Sequence, residues 1–351
     1  MGYELPEKLK NIKAYEPVSG EFRTHLDANE SFLFLTEEIL DEIGQAVKKI
    51  QYNRYPDPES RGVCRKYAEL LGIRPEIVMA GNGSDELISL IMANFADPGD
   101  RVLVAAPDFS MYEFYALSCG LSPVILDKEN LVLDKEALIE KAKETNSKIV
   151  IFSNPCNPSS LELSEEDVLE IAGRLDCLVV ADEAYMDFSD SSIADRTEEY
   201  GNLIVLKTCS KAFGLAAIRL GFAVSNERLT GILKTVKSPY NVNTLTQTVG
   251  EIVLSHKEYL KRCRDKICKE RDYLYQEIEK LQQAYPNVFT LYPTKTNFVF
   301  LKTDCGEKIF ERMKAEKIAV RLMKGSLRIC TGSREENNEM LAVLEDCLKE
   351  C

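Results

Sequence analysis

Two short apolar runs, residues 177–181 and 203–206, each break off into polar chemistry, and this pairing constrains the chain more than any other feature. The first, Cys177-Leu178-Val179-Val180-Ala181, ends in Asp182-Glu183-Ala184-Tyr185. The second, Leu203-Ile204-Val205-Leu206, ends in Lys207-Thr208-Cys209-Ser210-Lys211-Ala212-Phe213-Gly214. Unbroken runs of this kind predict strands buried on both faces, as in a parallel sheet covered by helices. In such sheets ligands bind beyond the C-terminal strand ends, so Asp182 and Lys211 belong to one candidate site. Arg219 follows and opens a further apolar run, Leu220-Gly221-Phe222-Ala223-Val224.

The remaining pattern alternates strand and helix. Residues 77–80, 102–105, 123–126 and 148–153 read as strands, with helices beginning near Met111 and Asp134. Ile39, Ile43, Val47 and Ile50 fall at helical spacing behind Thr36 as N-cap, and a later helix stops at Gly72. Repeated units of this kind predict an α/β fold: a large domain with a mainly parallel sheet flanked by helices, plus a smaller α+β domain. The large domain is expected over residues 32–238. The small one combines an N-terminal arm, 1–31, with 239–351. Pro239 marks a break before one long helix over about 243–283. Strands at 288–291, 297–301 and 327–330, a helix holding Ile309 and Met313, and a terminal helix over 335–348 complete it.

A net charge of −13 argues against nucleic acid as partner, since phosphate backbones need a basic face. The eleven cysteines are scattered and odd in number, and His25 and His256 are the only histidines, so no metal site is expected. Reduced thiols, no signal-peptide core and no apolar run of about 18 residues predict a soluble cytoplasmic protein without a membrane span.

An amine among small and hydroxylated residues, with a carboxylate nearby, suits pyridoxal phosphate. The lysine forms a Schiff base, the acid partners the pyridinium nitrogen, and hydroxyls with an arginine take the phosphate. Gly81-Asn82-Gly83-Ser84-Asp85-Glu86, at a strand-to-helix junction, offers backbone N–H groups to an anion.

Asp-Glu-Ala-Tyr at 182–185, followed by Thr-Cys-Ser-Lys-Ala-Phe-Gly-Leu-Ala-Ala-Ile-Arg-Leu-Gly at 208–221, resembles the cofactor core of fold-type I pyridoxal phosphate enzymes. Within that group the chain is most similar to histidinol-phosphate aminotransferases, from Tyr15 to Glu345, with the cofactor elements in the expected order. The resemblance implies that Lys211, Asp182 and Tyr185 are catalytic, and that Asn157 and Tyr185 hold the 3′-oxygen. Phe109 would stack on the ring, where the family more often has tyrosine. Gly83, Ser84, Asp85, Thr208, Ser210 and Arg219 would hold the phosphate, joined by Tyr55 from the second subunit of a homodimer with shared sites. Arg328, Arg321, Tyr15 and Asn29 would face the substrate. The chain departs from the family at Ser31-Phe32, in place of Asn-Pro, and at Ser159-Ser160, in place of Thr-Gly.

The function implied is transamination of histidinol phosphate or a related donor in amino-acid (histidine) biosynthesis, with 2-oxoglutarate as the acceptor 2-oxo acid. A threonine-phosphate decarboxylase and a broad aromatic aminotransferase share the same cofactor set. A pyridoxal-phosphate-binding regulatory domain is disfavoured, because no basic DNA-binding module fits in this acidic chain.

Overall fold

The computed structural model describes residues 3–10, 12 and 17–351. Seven strands form the main sheet, ordered Val78–Asn82, Leu220–Ser225, Leu203–Thr208, Leu178–Asp182, Ile149–Ser153, Arg101–Ala106 and Ser122–Asp127 from edge to edge. Leu220–Ser225 runs antiparallel to both neighbours, and the other pairs are parallel.

The apolar runs are buried on both faces because successive side chains point to opposite sides of a strand. Val150, Phe152, Val179, Ala181, Leu203 and Val205 enter one core. Their neighbours Ile149, Ile151, Leu178, Val180, Ile204 and Leu206 enter the other. Helices Ser84–Asn94 and Met111–Ser118 add Leu87, Ile88, Ile91 and Tyr112 to the second core. Helix Glu37–Val47 begins at Thr36, whose hydroxyl accepts from the Ile39 N–H, and helix Arg61–Leu71 stops at Gly72 with φ 70°, both as expected.

A second, antiparallel sheet of four strands runs Arg321–Met323, Ser326–Cys330, Phe298–Thr303 and Phe289–Leu291. Its core takes Ile309 and Met313 from helix Gly306–Ala315 and Met340 and Leu344 from helix Arg334–Leu348. Thr24–His25 pairs in parallel with Ile318–Ala319, which ties the N-terminal segment to this unit.

The single long helix expected over 243–283 is instead two helices, Thr244–Ser255 and Lys257–Ala284, broken at His256 (φ −89°, ψ 61°). Both sides of the break pack on the large-sheet core, with Tyr259, Leu260, Cys263 and Ile267 following it there. Val253 and Leu254 bury there too, and the passage to the small core comes within the second helix, at Leu274 and Ile278. His256 Nε2 meets Glu42 Oε2 at 2.8 Å, holding the corner against helix Glu37–Val47. Among the described residues, no helix is long and apolar enough to cross a membrane, no His/Cys/Asp/Glu group could hold a metal ion, and the cysteines are unpaired.

Candidate active site

A cleft of about 730 Å³ opens beyond the C-terminal ends of the parallel strands. Asp182, Thr208 and Ser153 are the last residues of their strands and line it. Lys211 enters from the turn after Thr208, Phe109 from the turn before helix Met111–Ser118, and Tyr185 from the turn after Asp182.

Asp182 is 4% exposed. Its carboxylate accepts from the Tyr112 hydroxyl at 2.7 Å and the Ala184 N–H at 3.1 Å, and no cation pairs with it among the described residues. Burial pushes its pKa up to about 7 despite those hydrogen bonds. The Lys211 amine donates to the Ala28 carbonyl at 2.9 Å. Burial, helped by the Arg328 charge, lowers its pKa to about 8. The Tyr185 hydroxyl accepts from Asn29 Nδ2 at 2.8 Å, and burial pushes its pKa up to about 12. The other amide atom, Asn29 Oδ1, is buried without a partner.

Helix Ser84–Asn94 starts at Gly83 with no side-chain cap, so its first N–H groups are available at the cleft edge. Gly83 has φ 81°, and a Cβ there would lie 2.7 Å from Arg219 Nη2, so the glycine serves both turn and guanidinium. Arg219 itself holds a left-handed φ of 52°. Its guanidinium meets Asp85 Oδ2 at 3.3 Å and Ser210 Oγ at 3.5 Å. Ser84, Asp85, Thr208, Ser210 and Arg219 thus ring one end of the cleft, with Asp182 and Lys211 further in.

Residues 24–344 match the model of the family "Aminotransferase class I and II". The chain belongs to this aminotransferase family. It is 41% identical over 349 residues to a histidinol-phosphate aminotransferase of Clostridium kluyveri, covering 98% of each chain. A Pyrococcus furiosus enzyme of the same name is 35% identical over 350 residues, again with 98% of each covered. The crystal structure of a Sinorhizobium meliloti histidinol-phosphate aminotransferase in complex with pyridoxal-5′-phosphate superposes with TM-score 0.87 at 22% identity, covering 100% of this chain and 99% of that one.

In this aminotransferase Arg328 reaches across from the small sheet. It is 8% exposed, and it donates to Asn157 Oδ1 at 2.7 Å and to the Asp27 carbonyl at 2.5 Å. Arg321 is directly opposite Arg328 in the antiparallel register, so both side chains leave the same face. The turn between them, Lys324-Gly325, has φ 47° and 83°, the two left-handed residues of a tight hairpin. Tyr55 does not line its own chain's cleft. It is 79% exposed and stacks on Tyr240 at 4.4 Å. Tyr15 lies outside the described residues.

At Ser160, where the family has glycine, the backbone keeps a left-handed φ of 63°. The serine hydroxyl lies 2.9 Å from Thr296 Oγ1 and accepts from the Lys295 N–H at 2.8 Å. Those bonds offset the cost of the backbone conformation and tie the Asn157 turn to the loop before strand Phe298–Thr303.

Sequence reasoning missed Tyr112. Its signal was spacing, since a residue three after Phe109 at a helix start shares its face. The two rings meet edge to face at 5.5 Å.

Proposed function

We propose that this protein is a pyridoxal-phosphate-dependent aminotransferase that moves an amino group from histidinol phosphate, or a donor carrying a similar anion, to 2-oxoglutarate. The observation that carries the reading is the arrangement of Asp182 and Lys211 in one cleft. A buried carboxylate without a cation and a half-buried amine lowered toward neutrality both await a ligand. The residues present fit the cofactor. Asp182 can partner a protonated ring nitrogen, Phe109 offers a ring face, and the uncapped helix start with Ser210 and Arg219 suits a phosphate.

Pyridoxal phosphate, when bound, supplies an aldehyde for amine exchange and a ring that withdraws electrons from the donor's Cα. Asp182 holds the proton at the ring nitrogen, and the Tyr112 hydroxyl keeps that carboxylate aimed. Lys211 is the base at the donor's Cα, and a pKa of about 8 leaves part of it unprotonated near neutrality. Asn157 and Tyr185 hold the 3′-oxygen, and Asn29 orients the Tyr185 hydroxyl.

Arg321 and Arg328 support an anionic donor. Like charges facing each other across two strands are unfavourable by themselves, and a phosphate offers both guanidiniums charge-assisted bonds. The relatives' names point to the same chemistry. The exposed Tyr55 fits a homodimer in which it completes the partner's phosphate site, and a cytoplasmic enzyme is the matching location. Kinetics of Arg321→Ala test the donor: phosphorylated donors should lose far more kcat/KM than phenylalanine. Equal losses would leave a generalist aminotransferase, and carbon dioxide release without glutamate formation would make it a decarboxylase.

A further inference from the structure

Behind the cleft wall lies a second pair of charges that the chemistry above does not use. Asp108 and Lys128 form an ion pair at 2.8 Å with both side chains 1% exposed. The pair is fully satisfied. Lys128 Nζ spends its three donors on Asp108 Oδ2, the Pro107 carbonyl at 3.0 Å and Cys156 Sγ at 3.1 Å. The Asp108 carboxylate accepts from Lys128, from the Phe109 N–H at 2.8 Å, from the Ser153 N–H at 3.3 Å and from the Ser153 hydroxyl. A buried ion pair is weak evidence for stability, because apolar side chains of the same volume often serve as well. Its position says more.

Strand Arg101–Ala106, two residues before Asp108, and the strand ending at Ser153 pair only as far as Val104 opposite Ile151. Beyond that rung the Asp108 carboxylate replaces the ladder by taking the Ser153 N–H. Ser153 Oγ in turn accepts from the Asn157 N–H at 3.0 Å, and Asn157 Oδ1 accepts from Arg328 at 2.7 Å. Phe109 is the very next residue after Asp108, and its N–H is held by the same carboxylate. One anion therefore anchors both an aromatic face and an amide that line the cleft. We propose that Asp108 and Lys128 are positioning residues, which set the ring of Phe109 and the amide of Asn157 at a common spacing for a planar ligand held between them. The proposal rests on the cofactor reading above.

The test compares Asp108→Asn, Lys128→Met and Lys128→Arg with the unaltered enzyme after removal of cofactor. Pyridoxal phosphate is titrated back and followed by visible absorbance, with circular dichroism checking the fold. Asn and Met should lower cofactor affinity by about ten- to a hundredfold, the weight of one or two charge-assisted bonds. Lys128→Arg keeps the charge. A cleft lined by Lys128, Leu131, Val132 and Leu133 adjoins the pair, and this variant should recover most of the affinity. Ile309→Val, buried in the small unit, should lower the melting temperature while leaving affinity unchanged. Wild-type affinity in folded Asp108→Asn and Lys128→Met would overturn the proposal. So would a Lys128→Arg as weak as Lys128→Met, or an Ile309→Val that loses affinity as they do. Unaltered enzyme that takes up no pyridoxal phosphate at all would instead sink the cofactor reading.

Discussion

On the cleft side of the strands ending at Asp182 and Thr208, an acid and an amine have no ion-pair partners among the described residues. On the opposite side, one residue along each strand, Glu183 and Lys207 meet at 3.2 Å, and Asp187 joins Lys207 at 3.2 Å. Glu183 also accepts from the Ser192 hydroxyl at 2.5 Å and the Ile193 N–H at 2.9 Å. The two lysines, four positions apart, shift in opposite directions. Burial disfavours the charge on each, but at Lys207 the Asp187 and Glu183 carboxylates outweigh it and raise the pKa. At Lys211 burial, with the Arg328 charge, outweighs the opposing pull of Glu30, and the pKa falls to about 8. Strand alternation thus sorts one cluster of charge into a structural half, paired and inert, and a chemical half, left uncompensated for a ligand.

The largest break in this comparison should come from Lys211→Ala, which is expected to lower transamination by roughly 10⁴-fold while the protein stays folded. Borohydride reduction followed by peptide mapping should find the cofactor on Lys211 in the parent and on no lysine in the variant. Label on another lysine would reassign the site. The opposite half should fail differently. Lys207→Met strands the buried Glu183 and the partly buried Asp187 and should cost about 3–5 kcal/mol in denaturant unfolding. Its folded fraction should still bind pyridoxal phosphate, and loss of binding without loss of stability would contradict the division.

Asp182→Asn sharpens the contrast through pH. It should slow turnover by roughly a hundredfold or more, since a neutral amide cannot hold a pyridinium proton. In the cofactor-free protein the Asp182 pKa is raised from 3.8 to about 7, so its contribution to stability is full below 3.8 and is lost as pH rises through about 7. Asp182→Asn should therefore raise the melting temperature at pH 8 relative to the parent and not at pH 3.5. Equal shifts at both pH values would mean the carboxylate is not the cause. Ser160→Gly should show the smallest effect. It relieves the left-handed backbone but removes the bonds to Thr296 and Lys295, and the net change should stay within about 1 kcal/mol by thermal unfolding.

Much of this arrangement was legible in the residue order. Apolar runs such as Leu203–Thr208 could only be strands covered on both faces, because their burial needs no partner beyond helices packed above and below. Strand polarity then put Asp182, Thr208, Lys211 and Asn157 at one edge, and turn chemistry marked Gly72, Thr36 and the Gly83 junction. These are local rules, with periods of a few residues. The break at His256 was not legible, since the apolar period runs through it and the contact of His256 with Glu42 joins it to a distant helix. Nor was Tyr112 on Asp182 or Asp108 on Lys128, because each joins residues through space by a packing that no local pattern carries, whereas Gly325 between Arg321 and Arg328 did mark the turn that brings those two together. The sequence by itself determined which chemistry the strand ends could offer. Only the tertiary structure decided which charges were neutralised and which were left for a ligand, because burial and pairing are properties of the packed chain and not of its order.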